Sequence, residues 1–108
     1  MIYFEALKAL NGRDRKKIGN HTYLEREEGS VALRYHATIV LRWYDDGDVT
    51  YHAIQRWHTS TTKDRMNYGP YHITQKNFDW YITTPSGQFK MIADSFTVKA
   101  DGSTHQWA

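Results

Sequence analysis

The chain contains no cysteine. Disulfides and thiolate-bound zinc are therefore excluded, and the composition suits a reducing compartment. No apolar run approaches the ~20 residues that a helical membrane span needs. The start, "MIYFEALKAL", lacks the basic opening and small-residue cleavage site of a signal peptide. Charge of one sign is not in large excess: 14 Lys and Arg against 12 Asp and Glu leave a formal +2, well short of a dedicated nucleic-acid protein. There is no phosphate-binding glycine loop, because Gly12 and Gly19 flank a basic segment that lacks the required Gly-Lys-Ser/Thr. No serine or threonine sits in a nucleophile elbow. A soluble, cytoplasmic domain without a cofactor is the expectation.

What is present suits one compact domain over residues 1–108. Aromatic residues make up 15% of the chain, enough to fill a modest core. Tyr3, Leu7 and Leu10 recur at helical spacing, with Glu5 and Lys8 off that face and Asn11-Gly12 as a stop. The following "RDRKK" concentrates Arg13, Arg15, Lys16 and Lys17 and reads as a helical turn or a loop.

From Thr22 the period becomes two. "VALRYHATIVLRWY" alternates so that Val31, Leu33, Tyr35, Ala37, Ile39, Leu41 and Trp43 share one face, which predicts one long half-buried strand. A three-residue loop, Asp45-Asp46-Gly47, sets Trp43 against Val49, Leu41 against Tyr51, Ile39 against Ala53 and Tyr35 against Trp57, all apolar. A two-residue loop would oppose Leu41 to His52 instead, and a one-residue slip turns every side chain over. Upstream, a turn at Gly29-Ser30 pairs Leu24 with Tyr35 and Glu25 with Arg34. "TSTTKDRMNYGP" predicts a short helical turn at about 61–68, with Thr61 and Asp64 as a capping pair. Four further strand-like runs follow, divided at Asn77, Pro85-Ser86-Gly87 and Asp94. The expected fold is α+β: mainly an antiparallel sheet, curled or closed into a small barrel, with an N-terminal helix and that one helical turn.

These registers predict an outer face carrying Tyr23, Glu25, Arg34, His36, Thr38, Arg42, Thr50, His52, Arg56 and His58, with His36 opposite Arg56 and Arg34 opposite His58. Exposed Arg, His and Tyr on a sheet suit phosphate contacts and base stacking. An ordinary solvated sheet face is the competing explanation. Arg15, Lys16 and Lys17, and the turn residues Thr61, Thr62, Lys63, Arg65 and Asn67, are further candidates for anions or nucleic acid. No metal site is expected: His36 and His52 fall about four residues out of step, on the order of 14 Å. Asp45, Asp46 and Asp48 lack the spacing and terminal Glu of an EF-hand and fit a hairpin turn. Tyr23 facing His36, with Glu25 two residues along, is the one arrangement suited to proton transfer.

"GRDRKKIGNHTYLER", "ALRYHATIVL", "WHTSTTKDRMNYGP" and "QKNFDWYI", in this order, resemble a family of small uncharacterised proteins encoded by bacteriophages and prophages. The resemblance runs from about Gly12 to Val98. Its most specific part is Trp57, Thr59, Thr61, Thr62, Lys63, Arg65 and Asn67, in the pattern Trp-x-Thr-x-Thr-Thr-Lys-x-Arg-x-Asn. It extends to Arg34, His36 and Thr38; where relatives tend toward an acid next, this chain has Ile39. The resemblance implies a phage origin and an accessory role, and no reaction. Three functions follow as expectations. The first is a non-enzymatic nucleic-acid-binding module using the cationic face and the 61–67 turn. The second is a counter-defence or regulatory protein that binds a host protein. The third is a small enzyme built on His36.

Overall fold

The computed structural model describes residues 1–107. The elements run α1 (Tyr3–Leu10), β1 (Arg15–Gly19), β2 (Thr22–Glu27), β3 (Ser30–Tyr35), β4 (Thr38–Tyr44), β5 (Val49–Tyr51), α2 (Ser60–Met66), β6 (His72–Lys76), β7 (Asp79–Thr84), β8 (Gly87–Lys90), β9 (Ser95–Val98) and β10 (Thr104–Trp107). Two antiparallel sheets result: seven strands in the order β1-β2-β3-β4-β5-β9-β10, and three in the order β6-β7-β8. The large sheet is open, with β1 and β10 as its free edges, so the expected small barrel is not formed. Among the described residues no helix is long and apolar enough to cross a membrane.

One hydrophobic core joins all the layers. Leu24, Leu33, Leu41, Trp43, Tyr51 and Phe96 come from the large sheet, Ala6 and Leu10 from α1, Met66 from α2, and Ile73, Trp80 and Ile82 from the small sheet. α1 starts where the Ile2 amide donates to Glu5 Oε1 (2.8 Å). It stops where Asn11 turns left-handed at φ 51°, as its sequence predicts.

The β4–β5 hairpin has the predicted register. Trp43 pairs with Val49 and Leu41 with Tyr51 around Asp45-Asp46-Gly47, and Gly47 takes φ 100°. β5 then ends at Tyr51, because Ala53 is left-handed (φ 58°) and a turn closes from the Trp57 amide to the Ala53 carbonyl (3.0 Å). The expected pairs of Ile39 with Ala53 and Tyr35 with Trp57 are therefore absent.

The long strand over 31–44 is in fact β3 folded back on β4 through His36-Ala37. The alternation hides the reversal for a geometric reason. A two-residue turn pairs Tyr35 with Thr38 and so shifts the inward phase by one residue. A bulge between Leu33 and Arg34's pairs then sends both Val40 and Leu41 into the core and restores the phase for Trp43. Ile39 is left on the outer face beside Arg34.

The β2–β3 register also differs. The turn is Glu28-Gly29, and Leu24 pairs with Leu33, two residues from the expected Tyr35. A shift of two preserves the faces. The segment "RDRKK" is neither helix nor loop but leads into edge strand β1, paired with β2. β10, which has little sequence signal, is a strand because it pairs with β9.

Candidate anion-binding site

The outer face of the large sheet carries a ladder of ion pairs. Glu25 accepts from Arg15 Nε and Arg34 Nε, each at 3.0 Å. Glu27 accepts from Arg42 Nε (2.8 Å) and Arg42 Nη2 (3.1 Å). Asp94 accepts from Arg56 Nε (2.8 Å). Four guanidinium groups thus meet three carboxylates, leaving one net positive charge, so the face is much less cationic than the sequence suggests. The Arg42 hydrogen bonds are the main cause holding the Glu27 carboxyl below the usual range, and the same pairing raises Arg42.

The pairing does more than neutralise. It holds three arginines through Nε, Arg42 also giving Nη2, and all three line a common hollow of about 340 Å³, open to solvent and bordered as well by Ala37, Thr38, Ile39 and His52. Each wall has a local origin. Arg34 Nη1 donates to the Ala37 carbonyl (2.9 Å), tying its side chain to the β3–β4 turn. The turn over 53–57 swings Arg56 back over the sheet, where Asp94 holds it; Asp94 Oδ1 also accepts from the Gln55 and Arg56 amides (3.1 and 3.3 Å). His52, the first residue after β5, lies 3.4 Å from Arg42 Nη1 through its Nε2. Burial, followed by the Arg42 and Arg56 charges, pushes His52 down to about 4. It is therefore neutral at pH 7, with Nε2 free to accept from Arg42. Fixed, partly desolvated guanidinium groups with spare donors are the standard means of holding phosphate or carboxylate.

A second hollow of about 330 Å³ lies beside the first. It is lined by Tyr35, His36, Ala37, Thr38, Val40, Trp57, Thr59 and Thr62. Ala37 and Thr38 border both hollows. His36 sits in the turn with φ 54°, stacked on His21 at 4.3 Å between ring centroids.

Of the residues expected at a nucleic-acid site, Arg34, Arg42 and Arg56 are brought together, although the strand pairing that was expected to do it is absent. Arg34 lies opposite Ile39 rather than His58, and His36 is a turn residue rather than a partner of Arg56. Arg15 is taken up by Glu25 and by the Tyr23 ring, 3.8 Å from its guanidinium carbon. Lys16 caps α1 by donating to the Ala9 carbonyl (3.0 Å), and Lys17 is exposed on the edge strand.

The α2 residues have structural duties. The helix is capped by Thr59, whose hydroxyl accepts from the Thr62 amide (3.2 Å), not by Thr61 with Asp64. Thr62 is buried. Asn67 Oδ1 accepts from the Ile73 amide (2.8 Å), and its Nδ2 donates to the Lys63 and Ile73 carbonyls (3.2 and 3.1 Å). Thr61 is exposed and Lys63 partly so. Arg65 reaches over the Tyr35 ring at 5.3 Å.

Tyr23 pairs with Arg34, so the proposed Tyr23–His36–Glu25 arrangement does not form. Among the described residues no group of three or more His, Asp or Glu is placed to hold a metal ion. Asp46 instead accepts from the Asp48 amide (2.9 Å) within the hairpin turn, and Asp48 accepts from the Ala100 amide (2.8 Å) of the β9–β10 connection. Asp94 and Trp57 were missed as site residues. Asp94 lies far from Arg56 in sequence, and the expected register put Trp57 on the apolar face opposite Tyr35. No protein-family model, curated protein or solved structure matches the chain.

Proposed function

We propose that the protein is a non-enzymatic nucleic-acid-binding module that holds backbone phosphate between Arg34, Arg42 and Arg56, and that it serves as a bacteriophage or prophage accessory protein in the host cytoplasm. The observation that carries the binding role is the shared hollow lined by three arginines, each anchored to a carboxylate through Nε. Nε-side anchoring fixes each guanidinium before the ligand arrives, which lowers the ordering cost of binding. The small net charge of the face argues for a few placed contacts rather than a broad electrostatic surface. The phage origin rests on the resemblance of the Trp57–Asn67 segment and its companions.

The test is anisotropy of labelled DNA and RNA oligonucleotides over a salt series. Binding that weakens as salt rises, with a shallow log–log slope of about 2 for a single strand, is the expected result. Absence of binding at low salt would reject the reading. A second reading, a host-protein partner, is favoured by Phe78, which is 87% exposed at the tip of the β6–β7 hairpin. Pull-down with wild type but not with Phe78→Ser would support it.

A further inference from the structure

We infer that the ligand is single-stranded, with one base stacked in the hollow walled by Trp57, His36 and Tyr35 while its phosphate sits among the arginines. This rests on the phosphate-binding reading and adds the class of nucleic acid and the residues that select it.

Three observations lead there. First, the two hollows adjoin: Ala37 and Thr38 border both, and the consecutive residues Arg56 and Trp57 line one each. A charged site next to an aromatic one follows the order of phosphate and base along a nucleotide. Second, Trp57 is 52% exposed, and it shares the wall with the Tyr35 and His36 rings, Ala37, Val40 and three threonines. A base offers a flat face of that chemistry, and stacking tolerates any base. Third, the imidazole facing the hollow is held in place. His36 stacks on His21 with 22° between planes, contacts Tyr35 at 4.5 Å and donates its amide to the His21 carbonyl (2.9 Å). A non-glycine residue is thereby kept in the left-handed region, where Gly or Asn would meet less strain.

In a duplex the base faces are covered by their neighbours, so only an unpaired nucleotide can enter such a hollow.

The experiment is an anisotropy titration of the full chain with labelled oligothymidylate and with the same strand annealed to oligoadenylate, for wild type, Trp57→Ala and Trp57→Phe. Wild type should bind the single strand more tightly than the duplex. Trp57→Ala should weaken single-strand binding roughly tenfold or more, the range of losing one base–aromatic stack, with an unchanged salt slope and little effect on the duplex. Trp57→Phe should fall between. Equal wild-type affinity for both forms, or single-strand affinity unchanged in Trp57→Ala, would overturn the stacking inference while leaving the arginine site in place. No binding of either form at low salt would overturn both. Because Trp57 is half exposed, a matched melting temperature in the variants confirms that the comparison concerns binding and not folding.

Discussion

Arg56→Gln separates a placed phosphate contact from a structural ion pair. Arg56 is the most exposed of the three arginines, with its side chain 66% accessible. Among the described residues its side chain donates only through Nε, to Asp94. Removing the guanidinium leaves Asp94 with the Gln55 and residue-56 amides as donors, so no carboxylate is stranded. An exposed pair of this kind contributes ~0–1 kcal/mol, and the melting temperature should fall by less than about 8 °C.

Binding should respond differently. With three phosphate contacts at ~0.7 each, single-strand affinity falls roughly eighteenfold between about 50 and 200 mM salt. With two contacts the slope drops to ~1.4 and the same change becomes roughly sevenfold. Anisotropy across the salt series measures both quantities on one sample. An unchanged slope and affinity in a folded Arg56→Gln protein would show that the hollow does not hold phosphate. A large fall in melting temperature would show instead that the Asp94 pair is a structural clamp.

Two further substitutions probe residues whose roles the fold reassigns. Asn67→Ala removes two hydrogen bonds that tie the end of α2 to Ile73 of β6 and one to Lys63 within α2 and should destabilise by ~1–3 kcal/mol in urea titration, with nucleic-acid affinity unchanged; lost affinity at full stability would return Asn67 to the binding surface. His52 sets a pH dependence. The unfolded chain takes up this proton near ~6.5, whereas the fold resists it down to about 4. Its contribution to stability is therefore complete above ~6.5 and is lost as the pH falls from there toward about 4. His52→Gln should flatten the urea midpoint over that interval, and an unaltered curve would clear His52 of responsibility.

Local chemistry in the sequence determined a good deal. The spacing of Tyr3, Leu7 and Leu10 with the Asn11-Gly12 stop marked α1. The Asp45-Asp46-Gly47 loop, judged by which partners would be apolar, set the β4–β5 register that is observed. Alternation sorted Leu33, Leu41 and Trp43 from Arg34 and Arg42 correctly, and these two arginines were legible as site residues for that reason. All of this depends on neighbours within a few positions, where turn sterics and face periodicity act alone.

Tertiary structure decided the rest. The reversal at His36-Ala37 was invisible because the turn and the bulge at Val40 cancel in phase. Whether the arginines form a charged surface or a set of paired side chains around one hollow depended on Glu25, Glu27 and Asp94 arriving from other strands and loops. Asp94 reaches Arg56 only because β9 joins β5. Trp57 became the wall of a hollow rather than a core residue because Ala53 ends β5 early. Ion pairing and exposure depend on distances between segments remote in sequence, and periodicity carries no record of those.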